Sequence, residues 1–524
     1  MRKVNRREFI KYSAIAGTCA AFSGFPTALR AETPKFGGTL RVALPDNPPT
    51  LDTHWVTTYL VIDAAWHYVE PLFTLGEKFE VIPMLADGHQ VSPDGKVYTI
   101  PLRRGVLFHN GKEMTSEDVV ASIVRWGNHA QTGKQIFKLI ESFEAKDKYT
   151  VEARLKSPSG AFLSFLALPR QMAGIYPKEV VDAAGKGEIK EYIGTGPFRF
   201  VEWKPDQHIK MVRFDKYSAC SDPARGYGGK KVPYVDEIRF IPVPDVATRI
   251  ASVESGDLDL GDWIPPDAYD RLKREGRIEP LIVKPKEYLK AVLNHAGDGP
   301  VSTNRKVRQA MQAAINCEPV MLAAFGNKNF YRLDPGLMFE EQVWWTDVGG
   351  ENYNQNNPEK ARRLLKESGY NGEPIRWMCS QSFMWMYNSA LVSKQQLEKI
   401  GFNIDLQVYD WATVVQRYTT DPKLWDVFMT GEGFNPDPTQ LEVVSCYAEG
   451  KWCDPKKNEL LEKLSLEADF EKRFAIWKDL QRWHYEDVGV IKMGDFFSMR
   501  IMGKRVRGFR NLVQPFEWNV WLAS

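Results

Sequence analysis

The sequence predicts an α/β protein. Beyond Pro34, short strand-like runs alternate with helical runs along the whole chain, the pattern expected when helices cover a sheet. No internal repeat or low-complexity run interrupts the alternation, which excludes a solenoid. At 524 residues, 43% hydrophobic and 12% aromatic, the chain is large enough for two or more domains and too apolar to be disordered. Its 69 Lys+Arg against 67 Asp+Glu give a formal charge of +2, which argues against a nucleic-acid binder that relies on net charge.

Gly37 to Leu44 reads as the first strand, closed by Pro45 and Pro48-Pro49, and Thr57 to Val69 as the first helix. Lys96 to Leu102 is an alternating strand behind an Asp94-Gly95 turn, and Val106 to Phe108 is read as another before Asn110-Gly111. Thr115 and Asp118 have capping-box spacing ahead of a helix running through Trp126. Residues 199–203 and 208–214 form a hairpin around Pro205-Asp206. Glu237 to Val243 is a strand, Asp245 to Ser255 a helix stopped by Gly256, and Asp257 to Leu260 a short strand. Longer helices follow at Asn304 to Phe325, Asn357 to Ser368 and Trp385 to Ile400. The strand Asn403 to Tyr409 leads to a helix from Trp411, a strand at Trp425 to Met429, and a largely helical stretch from Glu459 to Tyr485.

The N-terminus has a different character. Asn5-Arg6-Arg7-Glu8-Phe9-Ile10-Lys11 is a twin-arginine pattern, followed by an apolar stretch to about Phe25 that is too short to span a membrane. Residues 1–31 are therefore expected to be an export signal cut after Ala31. An amphipathic start helix, or a lipid anchor at Cys19, is the competing reading. Removing the segment takes six basic residues and one acidic, leaving 63 against 66, a net charge of −3. The expected compartment is the periplasm. Five cysteines remain there, and Cys446 and Cys453 are the candidate disulfide, with two separate thiols as the alternative.

Several blocks together resemble the family 5 extracellular solute-binding proteins, the dipeptide- and oligopeptide-binding components of ABC importers. They are Gly37 to Arg41, Leu85 to Asp87, Ser92 to Thr99, Leu102 to Lys112 continued by Thr115 to Val119, Gly194 to Phe198, Val307 to Ala310, and Ala361 to Tyr370. The resemblance implies a bilobed, type II periplasmic-binding-protein fold with an extra subdomain. Lobe I would be discontinuous (36–69, 190–284 and 490–524), the extra subdomain would occupy 70–189, and lobe II 285–489. Ligand would bind between the lobes, which close by hinge motion.

In the peptide-binding members an aspartate four residues before a motif proline holds the ligand's ammonium group. The matching stretch here is Thr430 to Pro438, and counting back from Pro438 the slot holds Phe434, so the usual anchor is missing unless Glu432 or Asp437 substitutes, with a turn role before Pro438 as the alternative reading of Asp437. The resemblance also points to Asp495, Phe496 and Phe497, with one of the two Phe facing the core by strand alternation. On the opposite lobe it points to Asn47, Thr50, Asp52 and Trp55. Trp385, Met386, Trp411 and Trp425 lie near strand ends of lobe II, and sixteen Trp favour an aromatic cleft. Arg308 reads as a structural ion pair in preference to a ligand contact.

No Gly-x-Ser-x-Gly elbow, phosphate loop or zinc spacing is present, so an enzyme is not expected, and neither is a cofactor or metal. His54 and His67, the pair nearest the expected mouth, read as structural. The expected function is capture of a peptide or peptide-like solute by a monomer that delivers it to permease subunits with their ATPase. A non-peptide solute (an opine, amino-acid derivative, oligosaccharide or metal chelate) and a sensor without transport are the alternatives.

Overall fold

The computed structural model describes residues 32–523. The twin-arginine pattern, its apolar stretch and Cys19 lie outside the described residues. Among the described residues no helix is long and apolar enough to cross a membrane.

An eleven-stranded mixed sheet runs through the protein. In chain order its strands are β1 (Thr39–Leu44), β2 (Phe198–Lys204), β3 (His208–Arg213), β4 (Glu237–Pro242), β5 (Leu260–Ile264), β6 (Glu279–Leu293), β7 (Tyr331–Arg332), β8 (Ile375–Ser380), β9 (Ile404–Tyr409), β10 (Val427–Gly433) and β11 (Val490–Met502). Their spatial order is β9-β8-β10-β6-β11-β5-β1-β4-β3-β2, with β7 beside β11. β6 and β11 are 15 and 13 residues long and antiparallel to each other. Glu279–Val283 pairs with Ser498–Met502 next to β5. After a register shift between Val283 and Glu287, the remainder of β6 pairs with β10 on one side and the first half of β11 on the other.

The apolar core divides in the same way. One cluster gathers residues from β1, the first helix, the segment 72–189, β2 to β4 and the C-terminal stretch 506–520. A second gathers Leu289, Ala291, the helices after residue 300, β8 to β10 and Phe496. A separate four-stranded sheet, in the order Gln90–Val91, Val97–Pro101, Thr150–Leu155, Ile140–Asp147, belongs to the first cluster. The segment Gly194 to Pro197 lies flat against His67 and Tyr68. A Cβ at Gly194 would sit 2.1 Å from the Tyr68 carbonyl oxygen, and one at Gly196 would sit 2.4 Å from that of His67. Glycine at both places allows the close approach.

Local signals placed most helices correctly. Thr115 and Asp118 form the capping box of Ser116–His129, Asp245 accepts from the Thr248 amide, and Gly256 ends its helix at φ 83°. Four expectations are corrected. The helix expected from Asn304 to Phe325 is two, Arg305–Ala314 and Cys317–Phe325, because Pro319 lacks an amide hydrogen and would clash with the preceding turn, while Asn316 caps the second helix. The stretch from Glu459 to Tyr485 breaks between Leu466 and Phe470, where Asp469 caps the helix Phe470–Asp487. Val106 to Phe108 is an extended turn with a single bridge from Leu107 to Glu113. The strands expected at 257–260 and 425–429 lie further on, as β5 and β10.

Cys446 and Cys453 are joined as a disulfide with their Cα atoms 4.9 Å apart, while Cys317 and Cys379 are buried free thiols. Arg308 donates to Asp487 and to the Val301 carbonyl inside the second core, which is a structural role.

Candidate functional site

A cavity of about 830 Å³ opens between two sets of segments. Residues 57–59, the helix Gln131–Phe137 and the turn 165–170 form one wall. Residues 434–449, with Tyr418, form the other. A chamber of about 260 Å³ adjoins it at the β6 register shift and shares Tyr59, Arg170, Phe434, Gln440 and Glu442. The main cavity alone lies towards the upper end of ordinary ligand sites, which span about 300–1,000 Å³.

The two walls carry opposite charge. On the side of residues 434–449, Lys290 projects from β6 with its Nζ 2.5 Å from Glu432 Oε2 and 3.5 Å from both Glu442 and Glu449. Glu432 is fully buried behind the wall, whereas Glu442 and Glu449 line the cavity. Three carboxylates thus surround one ammonium. Burial alone would lower the Lys290 pKa, but Glu432, Glu449 and Glu442 hold it above its usual value. Burial pushes Glu449 up to about 7, with Glu442 and Glu432 adding to the effect against Lys290. Burial also raises Glu287, which lines the smaller chamber and, among the described residues, forms no ion pair within 4.0 Å. Gly431 leaves room for it, since a Cβ there would lie 2.4 Å from Glu287 Oε2.

Arg170 and Lys138 stand on the opposite wall, and Lys286 stands on β6 beside Glu287, on which both Lys286 and Arg170 act electrostatically. Arg170 donates to the Thr57 carbonyl and lies 5.5 Å from the centre of the Tyr59 ring. Lys286 sits between the Tyr59 and Trp263 rings at 5.5 and 5.1 Å. Lys138 projects from the end of the helix Gln131–Phe137. Among the described residues none of the three forms an ion pair closer than 4.0 Å.

The disulfide shapes the acidic wall. It closes the loop that carries Tyr447 and Glu449, and Tyr447 is 98% exposed at the cavity edge. The rings facing the cavity are Tyr59, Phe165, Tyr227, Tyr418, Phe434 and Tyr447. The expectation that the tryptophans supply an aromatic cleft is corrected, since Trp126, Trp377, Trp425 and Trp477 are wholly buried in the cores.

Of the residues singled out from the sequence, Phe434 and Trp55 reach the cavity system, and Glu432 lies directly behind it. Phe434 packs on Phe79 at 4.6 Å, so its ring closes the cavity against the first core. The remaining expected contacts are corrected. Asp52 is fully buried, 2.6 Å from Arg125, and accepts from the amides of His54 and Ile189. Thr50 accepts from the Asp52 amide, and Asn47 bonds to Asp206 on the outer hairpin. Asp437 is held by both Nη atoms of Arg473 at 2.9 and 3.0 Å, and Asp495 by Arg332 and Lys492 at 2.6 and 2.7 Å. Both carboxylates are wholly buried against counter-charges of the chain itself, so neither presents an exposed face to a ligand. Both Phe of the pair on β11 are covered: Phe496 stacks on Phe325 at 4.6 Å and beside Trp385 at 5.5 Å, and Phe497 lies under Lys284. Met386 is in the second core, and Trp411 packs edge-on to Phe383 away from the cavity. His54 bonds to Gly174 O and Arg125, and His67 to Ala64 O and Glu517, both buried. Among the described residues no group of three or more His, Cys, Asp or Glu is arranged to hold a metal ion.

The motif stretch contains two prolines. Pro438 begins a short 3-10 turn capped by Asp437, whereas the slot four residues before Pro436 is Glu432, the carboxylate at the centre of the acidic cluster.

Residues 80–451, more than half of the chain, match the model of bacterial extracellular solute-binding proteins, family 5. The chain belongs to that family. Among curated relatives of this solute-binding protein, the probable peptide ABC transporter periplasmic-binding protein y4tO of Sinorhizobium fredii is 28% identical over 99% of this chain and all of its own length. The glutathione-binding protein GsiB of Salmonella choleraesuis is 29% identical over 76% of this chain and 74% of its own. The solved structure of the ABC transporter substrate-binding protein CtaP from Listeria monocytogenes superposes with a TM-score of 0.79 at 21% identity. That match covers 94% of this chain and all of the other, and it shows the shared fold.

The cavity residues Tyr59, Arg170, Lys286, Glu287, Glu442 and Glu449 were not singled out from the sequence. Tyr59, Arg170, Glu442 and Glu449 lie at element ends or in loops, and Lys286 and Glu287 at the register shift inside β6, where neither periodicity nor a motif marks a side chain as facing a ligand.

Proposed function

We propose that this solute-binding protein captures short peptides outside the cytoplasm and hands them to the permease of an ABC importer. The observation that carries the reading is the divided charge of the cavity. An ammonium group finds Glu442 and Glu449 on one side, and a carboxylate finds Arg170 and the β6 residue Lys286 around the Tyr59 ring. A zwitterion with its charges separated by a short backbone matches both. The peptide and glutathione relatives support the same ligand class. In this reading residues 1–31 direct export through the twin-arginine route. The lobes are those outlined from the sequence (36–69, 190–284 and 490–524 against 285–489, with 70–189 as the extra subdomain), turning about β6 and β11, and transport energy comes from the partner ATPase.

Glu449 adds a pH signature. Its carboxyl, raised to about 7, must ionise to receive an ammonium group, so peptide affinity is expected to rise as pH increases through 7, with proton release on binding. Calorimetric titration of di- to pentapeptides at pH 6 and 8, in buffers of different ionisation enthalpy, reads both. The double variant Glu442→Gln/Glu449→Gln is expected to weaken free-ammonium peptides by about 10- to 100-fold, the scale of one or two charge-assisted hydrogen bonds, and to abolish the pH dependence. If N-acetylated peptides bind the parent as tightly as free ones, the acidic wall does not hold the ammonium group and the assignment fails.

A further inference from the structure

Beside the main cavity lies a second chamber of about 510 Å³, reached past Thr57, Gln131, Gln135 and Lys138, which line both. Its chemistry differs from the rest of the site. Lys134 and Lys138 project into it from one face of the helix Gln131–Phe137 and its C-cap, because positions 131, 134, 135 and 138 fall on a common side at helical spacing. Trp55, 39% exposed, supplies an apolar wall and packs on the His129 ring at 5.7 Å. No aspartate or glutamate lines the chamber, and among the described residues neither Lys134 nor Lys138 forms an ion pair.

The cations therefore outnumber what a neutral peptide requires. The single α-carboxylate of such a peptide is met by Arg170 and Lys286 beside Tyr59. Two ammonium groups with the amides of Gln131 and Gln135 remain around an empty volume further along the same wall. Resting on the peptide-binding reading above, we propose that this chamber is an anion subsite. The favoured ligands are then peptides with a second carboxylate, an acidic side chain beyond the α-carboxylate, whose methylene stem packs on Trp55 while its charge meets Lys134 and Lys138.

Paired peptides of two to five residues that differ only in Glu against Gln at each position test this, titrated against the full-length mature protein in low salt. The acidic member of at least one pair is expected to bind about 10-fold more tightly, with a preference that shrinks as salt is raised. In Lys134→Gln/Lys138→Gln the Glu-to-Gln affinity ratio is expected to collapse towards one, and in Lys134→Arg/Lys138→Arg to persist. Both lysines are exposed on the helix surface, so loss of folding does not confuse the result. Equal affinity for Glu and Gln peptides in the parent, or an unchanged ratio in the glutamine variant, overturns the anion subsite and leaves peptide capture standing. Absence of binding by every peptide in the set overturns both.

Discussion

Replacing Lys290 by Met is expected to destabilise the protein by about 3–5 kcal/mol at neutral pH, the usual cost of removing one partner from a buried ion pair. The ammonium is 1% exposed and has Glu432, Glu442 and Glu449 within 3.5 Å. Without it the buried Glu432 and Glu449 carboxylates face only each other and Glu442. Acids whose folded pKa is raised above the unfolded value bind more protons in the folded state, so their contribution is retained at low pH and lost as pH rises through the folded pKa. Burial already raises both groups in the parent, Glu449 to about 7. The deficit of Lys290→Met should therefore be largest above pH 7 and shrink towards pH 5. Urea unfolding at pH 5, 6 and 8 measures it, and adding Glu432→Gln should restore part of the loss at pH 8. A deficit independent of pH would refute the carboxylate cluster as its cause.

The second large effect is expected at Arg473. Its guanidinium is 4% exposed, holds Asp437 through both Nη atoms, and donates to the carbonyls of Gly160 and Leu464. Arg473→Met leaves Asp437 with Ser164 and Thr439 as its remaining partners and strands two carbonyls. A loss of about 3–5 kcal/mol follows. The pair joins the segment 160–164, in the first core, to residues 437 and 464–473 beside a separate cluster that includes Leu441, Leu464 and Trp477, so proteolysis near Gly160 should accelerate in the variant. Asp437→Asn separates this role from a ligand contact. It should lower the unfolding midpoint while leaving the preference for free over acetylated peptides intact. A selective loss of free-ammonium peptides would put Asp437 in the site.

These two pairs also explain which parts of the protein can be read from its sequence. Caps are local, so Thr115 with Asp118, Asp245 with Thr248, and Asn357 with Lys360 are legible within four residues. Family blocks such as Leu102 to Lys112 extend that reach to the fold. A carboxylate's partner is not local. Asp52 meets Arg125 73 positions away, Glu432 meets Lys290 at 142, and Asp495 meets Arg332 at 163. From sequence alone, each of these acids is as suitable for a ligand's cation as Glu442 or Glu449. The difference is whether the chain itself supplies a buried counter-charge, and only the assembled sheet decides that. Phe434 and Trp55 were recognisable because the family resemblance marks the stretch before Pro438 and the loop after the first strand. Arg170 and Lys286 had no such marker.

The sheet's construction also bears on how the cavity can change. β6 and β11 run side by side from one core to the other, and hydrogen bonds between them resist sliding along their length. Rotation about the common strand direction costs far less, because sheets accept a range of twist. Two antiparallel strands joined edge to edge behave mechanically as a torsion bar. The interruption in pairing between Val283 and Glu287 is where that bar is most compliant, and Lys286 and Glu287 lie on it. Any change in the cavity's aperture through this link is therefore an angular one that leaves the register of every strand intact, and a ligand held at Lys286 and Glu287 grips the bar at its softest point.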